Sequence, residues 1–158
     1  MIYYIKQEFM SFGRSFTIFN ESMQEVFSVE KRTFIIGGRG FDIQSLTSHH
    51  HASIRRESYF FPVYTIGKFS SGATLSKKFS WFSQKFQLNT VERGTYEIKG
   101  SVWNRKLEFF RDDKLVATMI PNNFSWQNAY GVAIDDGEEV ITILAACIAI
   151  DRIKKGLG

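Results

Sequence analysis

Three of the chain's adjacent cation pairs, Lys31-Arg32, Arg55-Arg56 and Lys77-Lys78, share one setting. Each closes a stretch of alternating side chains: Phe27-Val29-Lys31, Ala52-Ile54-Arg56 and Ala73-Leu75-Lys77. Alternation puts each series on one face of a strand, so Lys31, Arg56 and Lys77 end the apolar face. Arg32, Arg55 and Lys78 thicken the charge beside them. If the three strands run in one direction, these ends meet at one rim. Cations gathered there can pair with phosphate oxygens of the kind a lipid head group supplies. The commoner arrangement is that their stems cover apolar surface while the heads stay in water, or pair with Glu30, Glu57 or Asp151.

Other residues suggest chemistry less strongly. In Ser48-His49-His50-His51, His49 and His51 would share a strand face and could begin a zinc or nickel site. No further ligand lies nearby, so a solvated loop is expected. Gly37-Gly38-Arg39-Gly40 is not followed by a helix, which a phosphate-cradling loop needs, and reads as a tight turn. Asp135-Asp136-Gly137-Glu138-Glu139 lacks the ligand spacing of a calcium loop and reads as helix capping. Cys147 falls in an apolar stretch and reads as a small buried hydrophobe. Trp81, Trp103 and Trp126 recur at equivalent bends and are expected in the core. A hydrolase would want a base placed beside its nucleophile, yet the only histidines are these three neighbours, so no catalytic residue, metal or cofactor is expected, and the chain reads as a non-enzyme.

The elements that must position these residues follow a repeat. Phe12-Phe16-Ile18, Phe60-Tyr64-Ile66, Phe82-Phe86-Leu88 and Trp126-Tyr130-Val132 share one aromatic-aromatic-aliphatic spacing. Gly37-Phe41-Ile43 and Trp103-Leu107-Phe109 are looser copies. The middle positions 16, 41, 64, 86, 107 and 130 recur at intervals of 21–25 residues. Each unit reads as two strands, which predicts about twelve strands of antiparallel sheet over residues 2–134. Residues 138–153 differ: 140–150 are almost wholly apolar, and the middle, Leu144-Ala145-Ala146-Cys147, suits a helix. Such a helix must be buried on every side. Twelve strands enclose more space than their own side chains fill, and a rod ~10 Å wide fills the remainder. The lengths agree as well, since 14 helical residues rise ~21 Å and a seven-residue strand covers ~23 Å. The prediction is a mainly β fold in one domain, 1–158: a closed twelve-stranded antiparallel barrel around a central C-terminal α-helix. The competing architecture, a two-sheet sandwich with the helix outside, would leave an apolar helical face wet.

Composition sets outer bounds. The chain has 158 residues, 44% of them apolar and 23% charged, which suits one globular domain. A formal charge of +4 is compatible with an anionic partner without demanding one. One cysteine excludes an intramolecular disulfide, and the N-terminal residues do not form a secretion signal. The expected location is cytoplasmic, with peripheral attachment to a membrane if the rim binds lipid.

These features together resemble the LURP-one-related family, including its bacterial members, within the tubby C-terminal-like superfamily. The carrying stretches are Tyr4-Ile5-Lys6-Gln7-Glu8-Phe9-Met10-Ser11-Phe12-Gly13, Lys77-Lys78-Phe79-Ser80-Trp81-Phe82, Glu97-Ile98-Lys99-Gly100 and Ala149-Ile150-Asp151. The resemblance implies the same barrel around a hydrophobic helix. It also implies kinship with tubby proteins, which look like phosphoinositide-binding tethers, and with phospholipid scramblases. Tubby's basic lipid-binding residues do not align with particular positions here, and no site is carried over. The expected function is a binding module for anionic phospholipid or phosphoinositide head groups, with Lys31, Arg32, Arg55, Arg56, Lys77 and Lys78 as candidates. The alternative is a protein-interaction scaffold in a regulatory or stress pathway. Nucleic-acid binding rests only on the excess of positive charge and ranks third.

Overall fold

The computed structural model describes residues 1–10, 13–34, 38–57, 63–68, 72–78, 84–121 and 129–154. The strands are β1 (Ile2–Met10), β2 (Gly13–Phe19), β3 (Glu25–Phe34), β4 (Gly38–Ser45), β5 (His51–Arg56) and β6 (Val63–Lys68). They continue as β7 (Gly72–Lys78), β8 (Gln84–Thr90), β9 (Gly94–Ser101), β10 (Lys106–Arg111), β11 (Lys114–Pro121) and β12 (Ala129–Ile134). One helix, α1 (Val140–Lys154), follows. Every strand pairs antiparallel with its sequence neighbours, and β1 closes on β12 with Ile5 opposite Tyr130. Closure removes the unpaired edges through which sheets aggregate.

The repeat maps onto the even-numbered strands. Its middle residues Phe16, Phe41, Tyr64, Phe86, Leu107 and Tyr130 are all buried, as are the aliphatic or aromatic residues two positions on, from Ile18 to Val132. The period-two alternation therefore fills the lumen from every hairpin. Its bend residues Phe12, Phe60, Phe82 and Trp126 lie outside the described residues. Register adds a stagger: Phe41 faces Lys31 of β3 on one side and Ile54, two residues short of Arg56, on the other. That offset between hairpins is the strand tilt a closed barrel requires. Gly38 and Gly40, expected in a tight turn, belong instead to β4, where they face Phe34 and Arg32. The β10–β11 hairpin turns on two residues, Asp112 and Asp113, with φ of 51° and 61°. That backbone matches the twist of the flanking strands, and Asp tolerates it better than most residues.

α1 occupies the lumen. Ile143 to Ile150 are fully buried without interruption around the helix. Burying each large aliphatic among them contributes about 1.5–3 kcal/mol. The helix lies nearest β5 and β6, and β5 turns Ala52 and Ile54 into the lumen. No helix among the described residues is long and apolar enough to cross a membrane.

The helix begins two residues later than the sequence suggests, and its cap differs. Asp135 and Asp136 stand outside it: Asp135 donates its backbone N–H to Val116 and forms a 3.6 Å ion pair with Lys114. Glu139 sits at the cap position, where its carbonyl accepts the Ile143 N–H and its carboxylate accepts the Thr142 hydroxyl at 2.9 Å. Thr142, a polar residue inside the core, is satisfied by that bond. Glu138 turns to the barrel wall instead. It accepts two bonds from Arg111, at 2.6 and 3.2 Å, and one from the Tyr96 hydroxyl at 2.7 Å. Arg111 holds the Glu138 carboxyl below its usual range, against the opposing effect of burial. Tyr96 shifts the other way, pushed up by burial first and by Glu138 second. This triad pins the start of α1 to β9 and β10.

Candidate functional site

Odd-numbered strands all run toward one mouth of the barrel, and α1 runs toward it too, since it follows the even-numbered β12. Lys31, Arg56 and Lys77 occupy equivalent places there. Each lies directly opposite the repeat's buried aromatic residue on the next strand: Lys31 faces Phe41, Arg56 faces Tyr64 and Lys77 faces Phe86. Gln7 opposite Phe16 and Gly100 opposite Leu107 complete the series. The lumen-facing alternation thus ends in exposed Lys31 and Lys77 and in Arg56, which is half-buried.

Arg32, Arg55 and Lys78 are on the opposite face of the same strands, so the six cations do not form one cluster. Arg32 and Arg55 flank Gly40 from either side. Each has a carboxylate partner, Asp42 at 3.0 Å and Glu57 at 3.7 Å respectively. Of these partners the sequence suggested Glu57 but not Asp42, which sits on the strand between the two arginines and also accepts the Ser53 hydroxyl. Lys78 faces Lys85, which faces Lys99. Lys31, Lys77 and Lys78 form no ion pair with any described carboxylate.

The last turn of α1 supplies the floor of the mouth. Arg152 is buried, at 6% exposure, and its guanidinium lies 5.1 Å from the centre of the Phe41 ring, a cation–π distance. It also stands close to Tyr64: burial pushes that hydroxyl's pKa up, while Arg56 and Arg152 oppose the shift. Arg152 therefore sits between the aromatic partners of Lys31 and Arg56. It is not among the six basic candidates read from the sequence. The available signal was the position of Asp151-Arg152, a charged pair placed where an apolar buried helix must emerge.

Asp151, suggested as a partner of the rim cations, pairs instead with Arg105 at 3.5 Å. Arg105 lies in the β9–β10 turn, donates to the Ala129 carbonyl at 3.2 Å and covers the Tyr130 ring at 5.5 Å. Burial drives the pKa of the Tyr130 hydroxyl upward, and Asp151 adds to the effect. Next in the same turn, Trp103 is 65% exposed rather than in the core, because Val102 takes the buried place beside it. Trp81 and Trp126 lie outside the described residues.

The remaining candidates are far from this mouth or inert. His49, His50 and His51 are exposed beside the β4–β5 turn, which Ser45 organises by accepting the N–H groups of Thr47 and Ser48. With Glu92, Glu138 and the start of α1 they line a cleft of about 460 Å³ at the opposite mouth. Among the described residues no three metal-ligating side chains converge. Cys147 is fully buried, and burial raises its thiol pKa, keeping it protonated.

Fold and mouth together define a helix-plugged, twelve-stranded barrel that presents cations at one end. The LURP-one-related family profile matches residues 1–151, and the chain belongs to that family. It is 23% identical over 154 residues to the uncharacterized protein YxjI of Bacillus subtilis (strain 168), covering 95% of this chain and 91% of that one. The fold is similar to that of an Arabidopsis thaliana protein solved by X-ray crystallography, with TM-score 0.57 and 12% identity. That match covers 98% of this chain and 91% of the plant protein.

Proposed function

We propose that the chain is a non-catalytic binding module that attaches to anionic phospholipid or phosphoinositide head groups through its basic mouth. The supporting observation is the register: Lys31, Arg56 and Lys77 extend from consecutive hairpins at one mouth, where Arg152 is buried beside Phe41 and Tyr64, the aromatic partners of the first two. A phosphate approaching along the barrel axis would meet Lys31 and Lys77 first and Arg56 nearer the floor. Arg32 and Arg55, already paired with Asp42 and Glu57, contribute less than their exposure suggests. The non-catalytic part of the reading follows from the filled lumen, which leaves α1 where a substrate cavity would be, and from the inert Cys147.

The test is co-sedimentation with phosphatidylcholine vesicles, with and without phosphatidylserine or a phosphoinositide. Binding should require the anionic lipid and weaken as salt rises. Each cation near an anionic surface contributes about 1 kcal/mol, so the triple variant K31A/R56A/K77A should partition about a hundredfold more weakly. Equal pelleting with neutral vesicles, or a triple variant that binds like the wild type, refutes the reading. A protein partner captured equally well by that variant would favour the scaffold alternative.

A further inference from the structure

We propose that the barrel docks end-on to an anionic bilayer, with Trp103 at the tip of the β9–β10 turn entering the interfacial layer. This rests on the lipid reading above and adds an orientation and an apolar anchor to it. Trp103 lies on the turn that continues from the basic mouth, between Gly100 of the rim series and exposed Lys106. It is 65% exposed on a turn that is firmly tied down. The Arg105 N–H bonds to the Val102 carbonyl at 3.1 Å, and the Arg105 side chain reaches Asp151 at the end of α1. A tryptophan held outward beside cations suits the headgroup zone, where its ring is buried and its N–H stays hydrogen-bonded.

Charge along the axis favours the same orientation. The turns at the opposite end carry Glu21, Glu92, Asp112, Asp113, Asp135 and Asp136, all exposed, against Arg93, Lys114 and the Met1 ammonium. In a chain of net charge +4, that concentrates positive charge toward the Trp103 end and turns the acidic end from an anionic surface. Exposed apolar residues at the acidic end, Leu46 and Val91 among them, would have to enter the bilayer with those carboxylates. Side-on docking through Lys78, Lys85 and Lys99 is weaker, because Lys99 is paired with Glu97 at 3.1 Å and faces Glu108.

The experiment places an environment-sensitive NBD probe at Trp103→Cys and, separately, at Val91→Cys in the full chain. Buried Cys147 leaves the introduced thiol as the labelling site. On vesicles of phosphatidylcholine with phosphatidylserine, the probe at 103 should brighten several-fold and shift to the blue, while that at 91 stays aqueous. Trp103→Ala should weaken partition about tenfold. Protein that pellets with these vesicles while the probe at 103 stays aqueous overturns end-on docking and leaves lipid binding intact. A probe at 103 that responds equally to a soluble inositol phosphate also overturns it. A wild-type chain that pellets with no vesicle removes both proposals.

Discussion

Ala146→Asp should abolish cooperative folding. Ala146 is at the centre of α1, fully buried, with Leu144, Cys147 and Ile148 around it and the lumen-facing strand residues beyond. Among the described residues a carboxylate there has no free cation within the apolar layer, since Arg152 is at the helix end, Arg105 is paired with Asp151 and Arg111 is bound to Glu138. The uncompensated charge costs several kcal/mol even after relaxation, comparable with the ~5–15 kcal/mol that holds a whole domain together. Protonating the side chain relieves part of the cost but leaves a buried polar group without partners. Circular dichroism followed through urea should show no transition. The same substitution at Val91, which is 77% exposed, should change stability by no more than about 0.5 kcal/mol. A sharp unfolding transition in the Ala146→Asp variant would mean that the helix is not enclosed.

Gly100→Ala should be strongly destabilising for a change of a single methyl group. Gly100 has φ of +132°, a conformation open to glycine and strained for other residues. A Cβ built there would stand 2.2 Å from the Lys106 carbonyl oxygen and 3.1 Å from the Leu107 Cα, both backbone atoms of the paired strand. Neither can move without opening the β9–β10 pairing. Strain and displaced pairing together predict a loss of about 3 kcal/mol. Gly67→Ala is the matched control: nothing lies within 4 Å of its added carbon, and the change should be close to neutral. Equal urea midpoints for the two variants would contradict the account of Gly100. Because Gly100 leads into the turn that carries Trp103, its variant should also weaken vesicle binding.

The strands and the helix were legible because their signals are local. Alternation around Phe16, Tyr64 and Phe86 names the lumen face without reference to any other strand. Residues 140–150 are apolar all round, and that alone demands enclosure. The cap was less legible. Four carboxylates within residues 135–139 compete on equal local terms, and their roles are decided by distant groups: Lys114 takes Asp135, while Arg111 and Tyr96 take Glu138. Turn side chains have no periodicity to reveal them, so the exposure of Trp103 depends on Val102 being buried and Arg105 being held by Asp151. The six basic candidates lie near the ends of β3, β5 and β7. Cross-strand pairing then divided them, because Asp42 and its role beside Arg32 emerge only once β3, β4 and β5 are in register. Arg152 was hidden for the same reason, since its importance depends on which strand ends surround the helix terminus.

Native-state hydrogen exchange of the α1 amides tests the enclosed helix most directly. Residues 143–150 should exchange only through global unfolding, with a free energy equal to that from urea denaturation and as high as that of the most protected strands. Exchange of this segment through a low-energy local opening, while the strands remain protected, would place the helix outside the barrel.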